Sequence, residues 1–184
     1  MAFARAKKKE PVGEAGLFEY AVGALSRRMR TVRDLRRLMK VRAFEGEQGE
    51  ADMDRVVERL VELKYLSDTR FAQDFTRLRK ENQGFGRRRV AQDLAGKGVA
   101  KELVAETVGA AFDETDEVAL ARGYCERKRI KQPVEQKQVV RVMNRLVRAG
   151  YSSGAIFKLL RSWKVEVPGE GEGDSDQYGD LPEF

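Results

Sequence analysis

The chain has 184 residues, with 36 Lys and Arg against 30 Asp and Glu for a net charge of +6, and it contains no histidine. Without imidazole there is no Ser-His or Cys-His nucleophile pair and no Cys/His zinc site. The single cysteine, Cys125, excludes an intrachain disulfide. No apolar run is long enough to cross a bilayer, and the start MAFARAKKKEP lacks the apolar segment of a signal peptide. With no phosphate-cradling glycine motif either, the expectation is a cytoplasmic, non-enzymatic protein with no cofactor or metal. An apolar content of 41% and a mean hydropathy of -0.58 support folding into thin, solvent-exposed elements.

Residues 1–14, with Lys7, Lys8 and Lys9 ahead of Pro11 and Gly13, read as a flexible basic arm. A helix is predicted from Ala15 to Arg28, with Leu17, Phe18, Ala21, Val22 and Leu25 inward. Thr31 and Asp34 form a capping box for a second helix that turns Leu35, Leu38 and Met39 inward. The polar stretch EGEQGEA at 45–51 reads as a loop. Asp52 is the expected N-cap of a third helix bearing Met53, Val56, Val57, Leu60 and Val61, closed by Tyr65 and Leu66.

From Tyr65 to Val99 the pattern is clearest. One helix, capped by Ser67 or Asp68, carries Phe71, Phe75 and Leu78, and another carries Val90 and Leu94. Gly84-Phe85-Gly86 turns the chain between them and Lys97-Gly98 ends the pair. A helix with Leu103, Val104, Val108 and Phe112 follows. After the acidic start Asp113–Glu117 come Leu120, Tyr124 and Cys125; Pro133 breaks the chain before Val139, Val142, Met143 and Leu146. The last helix holds Ile156, Leu159, Leu160 and Trp163. Residues 166–184 lack the apolar content to fold and read as a disordered acidic tail. No stretch alternates with period two, so the fold class is all-α.

The helices group in threes. Leu35, Met39 and Phe44 share their offsets of four and five with Val90, Leu94 and Val99, and with Val142, Leu146 and Tyr151. Three-helix repeats at 15–66, 67–113 and 114–165 follow, and units this short must stack to complete a core. The expected architecture is three tandem three-helix bundles in an elongated, straight or curved rod.

Seven acids and no cation follow Val165, which leaves +13 on residues 1–165 (36 less 23). A basic body points to a polyanionic partner: nucleic acid, or a protein assembly with an acidic surface. Cations gather at the junction of the first and second helix in each repeat. The candidate contacts, chosen on charge and position, are Arg36 and Arg37; Arg77, Arg79, Lys80, Arg87, Arg88, Arg89 and Lys97; and Arg127, Lys128, Arg129, Lys131 and Arg141. Arg87, Arg88 and Arg89 stand at a helix start, against the macrodipole, where forks and N–H groups could hold phosphates. Phe85 serves either as a stacking platform or, by preference, as a staple onto its own bundle. The tail acids could compete for the same basic face.

Tyr65-Leu66-Ser67-Asp68 with Arg70-Phe71-Ala72, followed by Gly84-Phe85-Gly86, Arg88, Asp93-Leu94 and Lys97-Gly98-Val99, resembles the signature of the RecX family. Members of that family are tandem three-helix proteins that bind the RecA recombinase filament on DNA and restrain strand exchange, ATP hydrolysis and repressor self-cleavage. The resemblance implies a monomeric, cytoplasmic regulator of homologous recombination, DNA repair and the SOS response, touching DNA directly or through the filament and requiring no membrane. The rival reading is a nucleic-acid-binding protein built from repeated helix-turn-helix units. The first repeat departs from the signature: it has Val41-Arg42-Ala43-Phe44 and a long loop in place of the Lys-Gly turn.

Overall fold

The computed structural model describes residues 10–165; most of the N-terminal basic arm and the whole acidic tail at 166–184 lie outside the described residues. Among the described residues the protein is all-α, with nine helices and no strand. They are α1 (Glu14–Arg27), α2 (Val32–Met39), α3 (Glu47–Glu62), α4 (Asp68–Glu81), α5 (Arg87–Gly96), α6 (Lys101–Phe112), α7 (Glu117–Arg127), α8 (Gln136–Arg148) and α9 (Ser153–Ser162). Three times in succession the first helix of a trio packs on the third: α1 on α3, α4 on α6, α7 on α9.

The helix starts are chemically explicit. The Thr31 hydroxyl accepts from Asp34 N–H at 3.1 Å, Ser67 from Arg70 N–H at 3.2 Å, and Ser152 from Ala155 N–H at 3.2 Å. Asp116 accepts from Val118 and Ala119 N–H at 2.9 and 3.0 Å. Each such cap satisfies a donor that the helix cannot, worth about 1 kcal/mol.

Two compact units result, and each has its own core. The first runs to Gln83 and resumes at Arg89–Thr115; the second is Gly84–Arg88 with the chain from Asp116 onward. In the first, Leu17, Ala21, Leu35, Met39, Met53, Val56 and Leu60 interlock. In the second, Tyr124, Cys125, Val139, Leu146, Tyr151, Ile156, Leu159 and Leu160 do so. Burying each such large side chain is worth about 1.5–3 kcal/mol.

The structure corrects four expectations. Asp52 is not an N-cap: α3 begins five residues earlier at Glu47, behind Gly46 at φ 89°. Asp52 lies buried inside that helix, held by Gln48 Nε2 at 2.8 Å and by Arg55. Gln48 and Arg55 supply the compensation a buried carboxylate needs, one turn away on either side. Tyr65 is 62% exposed, not core, because the helix ends at Glu62 and Lys64 takes φ 60°, turning Leu66 inward instead. Leu78 is exposed, although Phe71 and Phe75 stack with centroids 5.5 Å apart. Phe44 is half exposed while its counterparts Val99 and Tyr151 are buried. In the first trio Ala43 N–H bonds back to Met39 and Ala43 takes the buried place.

Candidate functional site

The basic turn at Gly84–Arg88 is held by main-chain bonds within the second unit. Gly86 N–H donates to Ala149 O at 2.8 Å and Arg88 N–H to Gly150 O at 3.2 Å. Gly86 has to be glycine, since a Cβ there would overlap the Gly150 carbonyl. The Tyr151 hydroxyl donates to the carbonyls of Gly84 and Leu120, and burial pushes its pKa well up, so it remains a donor at physiological pH. Phe85 packs on Tyr124 with centroids 6.2 Å apart, the staple arrangement.

This geometry answers the helix-start puzzle. The N–H groups of Gly86 and Arg88 are already committed to carbonyls at the end of α8. Those carbonyls are the negative pole of α8, so Arg87 and Arg88 stand beside a compensating dipole end rather than against an uncompensated positive one.

A related joint is built in the first unit. Thr31 Oγ1 donates to Lys97 O at 2.8 Å, Arg33 donates to Gly96 O, and Asp68 Oδ1 accepts from Val32 N–H at 2.9 Å. Gly98 closes α5 at φ 81°, a conformation that disfavours side chains, and the Arg33 side chain lies where its Cβ would be. Thus the start of α2 sits on the Lys97-Gly98 end of α5, as Gly86 and Arg88 sit on the Ala149-Gly150 end of α8. Asp68 is partly buried, and desolvation raises its pKa while the Val32 bond acts the other way.

The candidate cations fall into two groups. In the first unit most are tied internally. Arg36 reaches Glu50 at 3.0 Å and Asp54, and the Asp54 hydrogen bond above all raises its pKa. Arg77 spans Asp74 and Glu81 at 3.3 and 3.8 Å; Arg79 lies over Phe75 and pairs with Asp93 at 3.2 Å. Lys80 donates to Ala111 O at 2.6 Å near the end of α6, favourable against that helix's negative pole. Arg89 pairs with Asp93 at 3.0 Å, Lys97 with Asp34 at 3.4 Å, and the well-exposed Arg37 approaches Asp34 at 3.5 Å.

In the second unit Arg87, Arg88, Arg127, Lys128, Arg129, Lys131 and Arg141 are all exposed and make no ion pair among the described residues. Arg127 lies across the turn, its guanidinium occupying the place a Cβ of Gly84 would take. Arg145 and Arg148 on α8 are likewise exposed and unpaired among the described residues. They were overlooked in the sequence, although Arg148 immediately precedes the Ala149-Gly150 end. Within the described residues the first unit carries 18 Lys and Arg against 19 Asp and Glu; the second carries 14 against 4.

Fold and site together define a class: among the described residues, an all-α protein of successive three-helix groups with one strongly basic unit. Residues 67–108 match the family model "RecX, second three-helix domain". The chain is 31% identical over 143 residues to the regulatory protein RecX of Trichlorobacter lovleyi, covering 76% of this chain and 90% of that protein. It is 31% identical over 153 residues to the regulatory protein RecX of Streptomyces coelicolor, covering 82% and 77%. The crystal structure of RecX from Lactobacillus salivarius shares the fold, with a TM-score of 0.64 at 16% identity over 82% of this chain and 96% of that one. The chain belongs to the RecX family.

Proposed function

We propose that this protein is a non-enzymatic, monomeric regulator of recombination that binds RecA–DNA filaments and restrains strand exchange, ATP hydrolysis and repressor cleavage. The observation that carries the reading is the similarity to regulatory RecX proteins over most of both chains. The basic surface of the second unit supplies a matching partner chemistry, because a nucleoprotein filament presents polyanion continuously. No helix among the described residues is long and apolar enough to cross a membrane. The trios are read as repeats at 15–66, 67–113 and 114–165, the first two sharing one compact unit apart from the turn that the third trio claims.

The test is ATP hydrolysis and strand exchange by RecA with and without this protein. The expected result is slowing of both at substoichiometric or stoichiometric ratios. No effect at a stoichiometric ratio would sink the reading. The alternative, a plain nucleic-acid-binding protein, would show the same affinity for bare DNA as for the filament.

A further inference from the structure

The second unit has features that specify the chemistry of its ligand. Of its 14 cationic side chains among the described residues, nine are arginines, whose planar forks suit phosphate oxygens. Its acids are few and partly engaged: Asp116 caps α7 and Glu117 takes the Ser152 N–H and hydroxyl at 2.7 and 2.5 Å. The exposed large apolar side chains of this unit are Val134, Val140 and Val147, with no aromatic among them. Tyr124 and Tyr151 are buried, and Phe85 is packed on Tyr124. Phe85, Phe157 and Trp163 are partly buried against that core, so no ring stands fully exposed for a base to stack on, while phosphates would find unpaired cations.

The turn brings the cations together from separate segments. Arg127 lies on Gly84, and Arg87 and Arg88 follow within four residues, a span of at most about 14 Å. Arg88 is joined through its N–H to Gly150, two residues beyond Arg148. A nucleic-acid strand carries a phosphate about every 3.4 Å along a duplex axis, so a span of this size faces roughly four of them.

We propose that the second unit is a phosphate-backbone reader, indifferent to base sequence, that holds nucleic acid through Arg87, Arg88 and Arg127, and that the first unit makes no comparable contact. This rests on the filament-binding reading and names which component of the filament the basic surface takes. Acidic protein is the competing ligand. It interleaves cations with its acids and offers a less dense array than a phosphate chain.

The experiment is fluorescence anisotropy of the full chain with labelled oligonucleotides from about 50 to 200 mM salt, using oligo(dT), a mixed-sequence single strand and a duplex. Arg87→Gln/Arg88→Gln/Arg127→Gln is compared with Arg37→Gln/Lys40→Gln/Arg77→Gln in the first unit, with helicity checked by circular dichroism. The second-unit variant should lower the slope of log K against log salt by about 2 on single strands, since each phosphate contact contributes about 0.7. The first-unit variant should leave the slope unchanged, and oligo(dT) should bind as the mixed sequence does. If the triple variant loses helicity, Arg87→Gln and Arg127→Gln separately should each lower the slope by about 0.7. Equal losses from both triple variants, a strong preference for one base sequence, or displacement by poly-glutamate as effective as by unlabelled DNA would overturn the proposal. No recombinase is present, so failure here leaves the ATP hydrolysis test standing, and failure there leaves this result intact.

Discussion

Among the described residues the first unit holds 18 cationic side chains and the second 14, yet they meet opposite surroundings. Arg36 is gripped by Glu50 and Asp54, Arg79 and Arg89 share Asp93, and Lys97 and Arg37 approach Asp34. Arg87, Arg88 and Arg127 have no such partner among the described residues. The difference lies in where the acids fall. The third helix of the first trio brings Glu50 and Asp54 against α2, whereas α9 contains no acid to offer α8. Cationic density by itself therefore says little about binding; the acids that folding delivers to each cation decide what is left for a partner.

The two helix joints offer the largest test of that contrast. The joint of the second unit is main chain on main chain, so Gly86→Ala should force Gly150 aside and cost roughly 1–3 kcal/mol. In the first unit the bond runs through a side chain, and Thr31→Val should cost about 1–3 kcal/mol by removing the cap and orphaning a buried group. Thermal unfolding checks both, at about 4–8 °C per kcal/mol for a domain of this order. Equal indifference to both substitutions would show that neither joint stabilises the unit it belongs to.

Smaller effects separate the cations themselves. Arg36→Ala should lose up to about 1 kcal/mol, the scale of a partly exposed ion pair, with the loss shrinking at high salt. Arg87→Ala should leave thermal stability unchanged. A matching loss at Arg87 would mean that the second unit uses its charge for folding after all.

Asp68 contributes in a pH-dependent way. Burial raises its pKa, so the folded protein holds this proton more tightly than the unfolded chain does. Its titration therefore favours folding at pH below the ordinary carboxylate value, and that contribution is lost as pH rises through the raised value. Asp68→Asn keeps an acceptor for Val32 N–H and should cost less at pH 7 than Asp68→Ala, which loses it. Denaturant unfolding at pH 4 and 7 should show Asp68→Asn faring better against wild type at the higher pH. The smallest effect is at Cys125, where burial pushes the thiol up to about 11. Thiol labelling at neutral pH should proceed only as fast as the second unit opens.

Much of this was legible in the sequence because it is local. Helical spacing located Leu35, Met39, Val90, Leu94, Val142 and Leu146, and all six are buried. Thr31 and Ser67 announced helix starts through chemistry confined to three residues, and the acidic stretch Asp113–Glu117 marked another, which Asp116 caps. What escaped depends on tertiary contact. Asp52 looks like a cap until Gln48 and Arg55 are placed around it by a helix that begins earlier. Tyr65 and Phe44 carry apolar character in the expected places, but turns at Lys64 and Ala43 send the neighbouring side chain inward instead. The basic run at Arg87 gave no sign that α8 would present carbonyls to it, and Arg36 gave no sign of Asp54 eighteen residues away.

We propose that this RecX-family protein acts on RecA–DNA filaments through the cations of its second unit. The most direct test is RecA ATP hydrolysis on single-stranded DNA in the presence of wild type, Arg87→Glu/Arg88→Glu/Arg127→Glu, or Arg37→Glu/Lys40→Glu/Arg77→Glu, each confirmed folded. We predict that wild type and the first-unit variant slow hydrolysis alike, while the second-unit variant no longer does. Retained inhibition by the second-unit variant, with loss in the first-unit variant or in neither, would contradict the account.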